Sequence, residues 1–179
     1  MKQRIERVLR HRKKERITGA NLKASAVLIP LFYSQGGYHI LFTERSDDVV
    51  FHKGQVCFPG GTQEPSDSSL LQTALRESEE EIGLEAKDIE ILGELDDMRT
   101  FVTNYVISPF VAFIPPPHSL KTNGREVKGA FSVPLSFLMD EANFKQDSYA
   151  YEYEGHIIWG ATARILRQFV GLLKSESGA

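Results

Sequence analysis

The hydrophobic positions of this chain fall mainly into short runs that have the composition of β-strands. Two such runs, ASAVLIPLFY and YHILFTERS, flank the turn sequence SQGG and predict a β-hairpin. Further strand candidates are QVCF, IEILGEL, YVISPFVAFI, EVKGAFSV and the pair YAYEYE and HIIWG. Many strands with few, separated helices predict an α+β domain in which helices pack on the faces of a mixed β-sheet.

Helical spacing of apolar residues marks three segments in the body of the chain. A central helix is predicted over residues 67–82, with Ser66 or Asp67 as its N-cap and Gly83 as the residue that ends it. The stretch PLSFLMD predicts a short helix, and residues 161–174 predict a last amphipathic helix.

The N-terminal segment, residues 1–20, is predicted to be a basic amphipathic helix that precedes a domain at 21–175. Its first 16 residues contain eight Lys or Arg and two Glu, and Ile5, Val8 and Leu9 form an apolar stripe at helical spacing. We interpret this segment as a helix docked on the domain with a solvated basic face. The alternative is that its charge attracts a polyanionic ligand.

Composition argues against nucleic-acid-binding, disulfide-bonded, secreted and membrane-spanning classes of protein. A chain of 179 residues can bury one sizeable core, and a net charge of -3 gives no general case for nucleic-acid binding. The single cysteine, Cys57, excludes an internal disulfide and suits a reducing compartment. We find no apolar secretory h-region, and no apolar run approaches the ~18 residues typical of a membrane span. We therefore expect a cytoplasmic protein.

The central helix carries an unusual concentration of acid at its C-terminal end. Glu77, Glu80 and Glu81 stand at i, i+3 and i+4, so their carboxylates should converge beside the buried face. The helix dipole disfavours negative charge there, and a hard divalent cation such as Mg²⁺ or Mn²⁺ would relieve the repulsion. The preceding pair, Gly60 and Gly61, would let backbone approach a ligand closely.

These residues resemble a known family motif. The stretch GGTQEPSDSSLLQTALRESEEEIGL, at about residues 60–84, resembles the Nudix box, Gly-x5-Glu-x7-Arg-Glu-aliphatic-x-Glu-Glu-x-Gly-aliphatic. The residues that match its second half are Arg76, Glu77, Glu80, Glu81, Gly83 and Leu84. Two features depart from the motif. Asp67 replaces the first glutamate and lies eight residues before the arginine instead of seven, and Ser78 stands at an aliphatic position.

The longer form of the box resembles the coenzyme A diphosphatase branch of the Nudix hydrolases. That branch has an upstream signature, Leu-Leu-Thr-x-Arg-Ser-x3-Arg-x3-Gly-x3-Phe-Pro-Gly-Gly, and this chain reads LFTERSDDVVFHKGQVCFPGG in register with it. Val50 stands where the signature has its second arginine. The whole resemblance covers roughly residues 23–170 and implies the Nudix fold, a mixed sheet sandwiched between helices.

The resemblance also implies roles for particular residues. The metal ligands would be Gly60, through its backbone carbonyl, and the box glutamates Glu77, Glu80 and Glu81. Arg76 would hold the first box glutamate in place by a charge-assisted hydrogen bond. A metal-held diphosphate would be attacked by a water molecule whose proton passes to a carboxylate.

That carboxylate is either a box glutamate or one on a later loop. Glu126, in the stretch NGREV, is the late-loop candidate for the general base, and Glu77 or Glu80 is the alternative. We assign the following residues to substrate binding, the basic ones to phosphates and the aromatic ones and His52 to a base or acyl-carrier moiety: Arg45, Ser46, His52, Lys53, Phe58, Gly61, Phe101 and Arg125.

The activity implied by the resemblance is metal-dependent hydrolysis of the diphosphate in coenzyme A or acyl-coenzyme A, giving 3′,5′-ADP and (acyl-)phosphopantetheine. Val50 keeps open another nucleoside diphosphate derivative, such as ADP-ribose or a dinucleoside polyphosphate. The alternative of a different class is a Nudix-fold module that binds nucleotides without turnover. We expect a small nucleotide-derived diphosphate as partner, no membrane and no nucleic acid, with a homodimer left open.

Overall fold

The computed structural model describes residues 1–10, 12–46, 54–100, 103–117 and 120–175. Within them lie four α-helices: α1 Lys2–Arg10, α2 Leu70–Ile82, α3 Leu135–Met139 and α4 Gly160–Ser175. The strands of the same residues are β1 Lys23–Ser34, β2 Gly37–Arg45, β3 Val56–Cys57, β4 Gly60–Thr62, β5 Glu90–Glu94, β6 Met98–Arg99, β7 Tyr105–Phe113, β8 Val127–Pro134, β9 Phe144–Lys145, β10 Ala150–Tyr153 and β11 His156–Ile158. Two 3-10 turns cover Ala86–Asp88 and Glu141–Asn143.

The strands form one mixed sheet and one small antiparallel sheet. The order β3-β2-β1-β7-β5 runs through the main sheet, and β4, β6 and β8 pair with β1, β7 and β2 respectively. Strands β1 and β7 are parallel, with Lys23 opposite Tyr105 and Leu31 opposite Phe113, and the other described pairs are antiparallel. The small sheet has the order β11-β10-β9.

The predicted hairpin is confirmed in β1 and β2. Its strands pair antiparallel up to Ser34 opposite Gly37, and the two residues between them, Gln35 and Gly36, have φ values of 50° and 80°. Two positive φ angles in a two-residue loop are the geometry that matches the twist of the flanking strands.

The main sheet separates two hydrophobic cores, as the predicted fold requires. Successive strand residues point to opposite faces, so Leu41 belongs to one core and Phe42 to the other. Helices α1, α3 and α4 cover the face of Phe42, where Phe169 is fully buried. Helix α2 covers the face of Leu41, where Ala74 is fully buried. The fold is thus the predicted mixed sheet between helices.

Helix α2 begins later than the sequence predicted. It starts at Leu70, and the N-cap is Ser69, whose side-chain oxygen accepts the Gln72 N–H at 3.1 Å. The prediction of Ser66 or Asp67 as N-cap was therefore wrong. The physical reason is that the Asp67 carboxylate is engaged by side chains of the helix itself.

The end of α2 and the positions of α3 and α4 agree with the sequence. Gly83 ends α2 in the left-handed conformation, with a φ of 68° and its N–H bonded to the Glu79 carbonyl at 2.9 Å. The short helix α3 and the last helix α4 lie where they were predicted. Among the described residues, no helix is both long and apolar enough to cross a membrane.

The N-terminal helix is shorter than predicted. Helix α1 ends at Arg10, so the prediction of a helix over 1–20 was wrong in length, and residues 13–19 have no regular structure. The docking of α1 on the domain is confirmed, because Ile5 and Leu9 are buried in the core.

The chain after α1 is held by acidic residues at the end of β5. Lys14 Nζ lies 2.9 Å from a carboxylate oxygen of Glu94 and 3.0 Å from one of Asp97. Asp97 also accepts the Ile17 N–H at 3.0 Å and the Ser108 hydroxyl at 2.6 Å. Although burial raises the pKa of Asp97, these hydrogen bonds and the Lys14 charge hold it below its usual value. Part of the basic charge of this segment is thus neutralised within the fold.

We predict that Lys14→Ala lowers the free energy of unfolding at pH 7 by about 1–3 kcal/mol, because it leaves the buried Asp97 carboxylate without its cation. A carboxyl with a lowered folded-state pKa stabilises the protein above its unfolded pKa of 3.8, and this contribution is lost at lower pH. The difference between the two proteins should therefore shrink at pH 3. Urea denaturation at pH 7 and pH 3 measures the difference in the free energy of unfolding. Lys13→Ala, at an exposed position, is the control. Equal losses in both variants would contradict the prediction.

Candidate active site

The glycine pair of β4 lets strand β1 and the Glu77 side chain of helix α2 each lie close to the backbone of β4. A Cβ atom on Gly60, whose φ is 153°, would lie 2.3 Å from the backbone oxygen of Ala26. A Cβ atom on Gly61 would lie 2.3 Å from Oε1 of Glu77. Real Cβ atoms do not approach other atoms so closely, so both positions require glycine in this geometry. The Glu77 carboxylate consequently lies directly on the backbone of β4.

Arg76, in the middle of α2, connects the helix to Asp67 in the preceding loop and to Thr62 of β4. Its Nε and Nη2 atoms donate to the two carboxylate oxygens of Asp67, each at 3.0 Å, and Nη2 also donates to the Thr62 carbonyl at 3.2 Å. The hydrogen bond from Arg76 is the main reason that the pKa of Asp67 falls to about 2. Asp67, in the place of the first box glutamate, therefore receives the charge-assisted contact expected of Arg76.

The same guanidinium group also contacts two glutamates of the helix. Nη2 lies 3.0 Å from Oε1 of Glu77, and Nη1 donates to Oε2 of Glu80 at 3.0 Å. Arg76 thus orients the Glu77 carboxylate, which lies against Gly61. Glu80 is directed toward Arg76, and its side chain remains 56% exposed.

Three carboxylates converge beside the glycine pair. Glu77, Glu81 and Glu126 each place one carboxylate oxygen within 4.8 Å of the other two. Two of them come from neighbouring turns of α2, and Glu126 comes from the loop that precedes β8. The sequence predicted a cluster of Glu77, Glu80 and Glu81, whereas the structure brings Glu126 into the group and turns Glu80 toward Arg76.

Glu81 is the most buried member of this group, with 2% of the residue exposed. Its Oε2 atom accepts the Gly60 N–H at 3.1 Å. Burial raises the pKa of Glu81 to about 8, against the opposing effects of this hydrogen bond and of the Arg45 charge. Burial also raises the pKa of Glu77, although Arg76 opposes this. Two carboxyl groups are therefore held where their charged forms are poorly solvated and close to like charge.

The arrangement has the chemistry of a site for a hard divalent cation. Such ions take carboxylate and backbone carbonyl oxygens as ligands. Glu77, Glu81 and Glu126 offer three such oxygens around one point, and a cation would replace the solvation that Glu77 and Glu81 have lost. The residues present thus fit a divalent metal ion.

Sequence comparison assigns the chain to a family. The family model of the NUDIX domain matches residues 22–152. The chain is 36% identical over 158 residues to the Nudix hydrolase NudL of Photorhabdus laumondii, which is itself uncharacterized, with 83% of each chain covered. This chain belongs to the Nudix hydrolase family. The NudL protein of Yersinia enterocolitica is likewise 36% identical over 159 residues, covering 83% of this chain and 80% of its own.

Solved Nudix structures share the fold at low sequence identity. A binary complex of a C. elegans Ap4A hydrolase has a TM-score of 0.59 and 16% identity, and the match covers 86% of this chain and 99% of that one. The NUDIX domain of Shewanella oneidensis NrtR, in complex with ADP ribose, has a TM-score of 0.60 and 17% identity, with 90% and 91% covered. These likenesses support the fold.

As a Nudix hydrolase, the protein acts on a nucleoside diphosphate derivative, and hydrolases of this family generally use divalent metal ions. The carboxylate group of Glu77, Glu81 and Glu126 is the candidate site for such an ion among the described residues.

Of the residues assigned to substrate binding, some lie near the carboxylates. Arg45 is close enough for its charge to lower the pKa of Glu81. Ser46 is buried and its backbone N–H donates to the Glu126 carbonyl at 2.8 Å. Arg125 is exposed beside Glu126.

The other assignments have different surroundings. Phe58 is 2% exposed and stacks on Phe42 with ring centroids 5.1 Å apart, which leaves its ring almost no surface for a substrate. Gly61 provides the space that the Glu77 carboxylate occupies. The assignments of His52, Lys53 and Phe101 lie outside the described residues.

The sequence analysis overlooked the role of Asn123. Its side-chain oxygen accepts the backbone N–H groups of Glu126 and Val127. The pair Asn123–Gly124 is a common turn signal and could have indicated this.

We predict different effects for alanine substitutions at the two glycines of the pair. Gly60→Ala should destabilise the fold by about 3 kcal/mol or more, because the new methyl group meets the Ala26 backbone at a strained φ. Gly61→Ala meets only the end of the flexible Glu77 side chain. It should therefore leave the melting temperature of the metal-free protein nearly unchanged while reducing the rise caused by Mn²⁺.

Gly129→Ala is the control for both variants, because nothing lies within 4 Å of its new Cβ. Thermal melts with EDTA and with Mn²⁺ measure the effects. A full Mn²⁺ response in Gly61→Ala would show that the displaced carboxylate is not a metal ligand.

The raised pKa of Glu81 predicts the pH dependence of metal-free stability. Because the folded-state pKa of about 8 exceeds the unfolded value of 4.5, the folded protein binds more protons between these values, and its free energy of unfolding falls as the pH rises through this range. Glu81→Gln should remove this loss and be more stable than the wild type at pH 9 in EDTA. Glu79→Gln, at an exposed position of the same helix, is the control. Parallel stability profiles for all three proteins would contradict the prediction.

Proposed function

We propose that this Nudix hydrolase cleaves the diphosphate of coenzyme A or acyl-coenzyme A into 3′,5′-ADP and (acyl-)phosphopantetheine, with Mg²⁺ or Mn²⁺ as its cofactor. The single observation that carries the proposal is the place of the upstream signature beside the carboxylates. The signature's Arg45 and Gly54 bracket the segment between β2 and β3, and Gly54 N–H donates to the Arg45 carbonyl at 3.2 Å.

This bracketed segment begins next to Glu126, and its end is bonded back to Arg45. Arg45 N–H donates to the Gln55 carbonyl at 3.1 Å, and the Ser46 N–H donates to the Glu126 carbonyl at 2.8 Å. Ser46 of the signature is therefore bonded directly to Glu126, a residue of the proposed reaction centre. A substrate-specific signature in that position supports recognition of the group attached to the diphosphate.

The roles of the remaining residues follow from their contacts. The proposed metal ligands are Glu77, Glu81 and the Gly60 carbonyl, beside Glu126, whereas Glu80, which the family resemblance also implied, is bonded to Arg76. A bound ion would neutralise charge on the diphosphate and lower the pKa of a coordinated water molecule. Arg76 keeps Glu77 and Asp67 in place, and Arg45 and Arg125 bring positive charge for phosphate oxygens.

Glu126 is the proposed general base. Its carboxylate accepts a proton from the attacking water while the water oxygen bonds to one phosphorus and the bridging P–O bond breaks. One molecule of water thus converts the diphosphate into two phosphate monoesters. Glu126 is exposed and stands beside the other carboxylates, as a base that must reach a bound water requires.

A second candidate substrate is another nucleoside diphosphate derivative. Val50 replaces the second arginine of the coenzyme A signature, so the signature carries one positive charge fewer in this chain. The NrtR domain that shares the fold was solved with ADP ribose, and a C. elegans relative in fold is an Ap4A hydrolase. ADP-ribose and dinucleoside polyphosphates are therefore the competing substrates.

We predict that coenzyme A with Mg²⁺ or Mn²⁺ is hydrolysed faster than ADP-ribose or a dinucleoside tetraphosphate, with products identified by mass spectrometry. In ¹⁸O-water, label should enter one of the two monophosphate products, and no inorganic phosphate should appear. Faster cleavage of ADP-ribose would assign the second function instead. Binding of all three compounds without turnover would indicate a nucleotide-binding module.

A further inference from the structure

The loop that carries Glu126 is attached to the C-terminal end of helix α2. The N–H of Lys121 donates to the Ile82 carbonyl at 3.2 Å, and the N–H of Asn123 donates to the Glu81 carbonyl at 3.1 Å. Carbonyls in the last turn of a helix have no partner within it, so they are available to such donors. The backbone of Asn123 is thereby tied to the residue that places the most buried carboxylate of the site.

The side chain of Asn123 extends this connection to Glu126. Its Oδ1 atom accepts the Glu126 N–H at 3.0 Å and the Val127 N–H at 3.3 Å. The turn between them is closed by a bond from the Gly124 N–H to the Val127 carbonyl at 3.2 Å, with a φ of 67° at Gly124. Asparagine suits this position because its short side chain can bond backbone two or three residues ahead.

Glu126 is held on its other side as well. Its carbonyl accepts the buried Ser46 N–H at 2.8 Å. Both backbone polar groups of Glu126 are thus bonded, one to Asn123 and one to the end of β2. Only its side chain is left to move, and this side chain reaches toward Glu77 and Glu81.

These tethers act against an electrostatic force. Oxygens of the Glu77, Glu81 and Glu126 carboxylates lie within 4.8 Å of one another, and like charges at this separation repel. An exposed loop residue would relieve this repulsion by moving into solvent. The hydrogen bonds to its backbone limit that movement.

We propose that Asn123 is a positioning residue for Glu126, linking the carboxylate of the loop to the carboxylates of α2. The inference rests on the proposed role of Glu126 in catalysis. Asn123 touches no reacting atom. It sets the distance between Glu126 and the site through one backbone bond to Glu81 and two side-chain bonds to the loop.

The test compares Asn123→Ala, Asn123→Asp, Glu126→Gln and the double variant Asn123→Ala/Glu126→Gln on the substrate that the wild type turns over. Glu126→Gln should lower kcat by about 10²–10⁴-fold, as loss of a general base does. Asn123→Ala should lower kcat by about 5- to 20-fold with little change in KM, because one or two hydrogen bonds of positioning are lost. Asn123→Asp keeps an acceptor oxygen and should restore most of the rate.

The double variant separates positioning from a general structural role. If Asn123 acts through Glu126, then Asn123→Ala should have no further effect on kcat once Glu126 is Gln. A crystal structure of metal-free Asn123→Ala should also show the Glu126 carboxylate displaced from Glu77 and Glu81. Thr122→Ala, at the neighbouring position of the same loop, is the control and should retain wild-type kcat.

Three results would overturn the proposal. An Asn123→Ala variant with wild-type kcat, or one whose loss is as large in the Glu126→Gln background, would show that Asn123 does not act through Glu126. Wild-type activity in Glu126→Gln would remove the proposed base, and the positioning role with it. Because diphosphate cleavage itself is measured on the wild type, none of these results is confused with failure of the proposed activity.

Discussion

The close contact between helix α2 and strand β4 controls the geometry of the whole candidate site. Gly60 lies against the backbone of β1, and Gly61 leaves space that the Glu77 carboxylate fills. Because the Gly60 N–H then reaches Glu81, two carboxylates of adjacent helical turns are fixed on one stretch of backbone. A larger residue at either glycine would displace the helix or its carboxylates. The contacts that Glu77 and Glu81 make with β4 would then be disrupted.

The electrostatics of the site follow from this contact. Crowding and burial raise the pKa values of Glu77 and Glu81, which is unfavourable for a protein without a cation. Arg76 compensates part of the charge and is itself oriented by Asp67, whose lowered pKa keeps it ionised. The helix end that is least suited to negative charge thus becomes a place where a divalent cation would be most strongly favoured.

A different charge network holds the N-terminal segment. Helix α1 is fixed by burial of Ile5 and Leu9, whereas the chain after it is fixed by acids at the end of β5, chiefly Glu94 and Asp97. Within the described residues β5 pairs with β7 on one side, and this segment lies beside its end. Part of the basic charge of this segment, that of Lys14, therefore has a structural role.

The features that could be predicted from the sequence depend on residues close together in the chain. Runs of β-strand composition around turn residues predicted the hairpin and the mixed sheet. The spacing of Glu77, Glu80 and Glu81 predicted the acidic end of the helix, and resemblance to the Nudix box indicated the family. Local spacing carries this information because helix and strand periodicities are the same in every protein. The family resemblance also suggested Glu126, although nothing in its own surroundings in the sequence distinguished it from an ordinary loop residue.

Which carboxylates come together depends on contacts between elements that are far apart in the chain. Glu80 has the helical spacing of a ligand, yet Arg76 draws it away, and Glu126 takes the third place because Asn123 ties its loop to α2. The N-cap moved from Asp67 to Ser69 for a similar reason, since Asp67 is engaged by Arg76. In each case several groups could bond to the same polar side chain, and the three-dimensional distances between them determine which one does. The periodicity of a single helix or strand carries no information about distances to other elements.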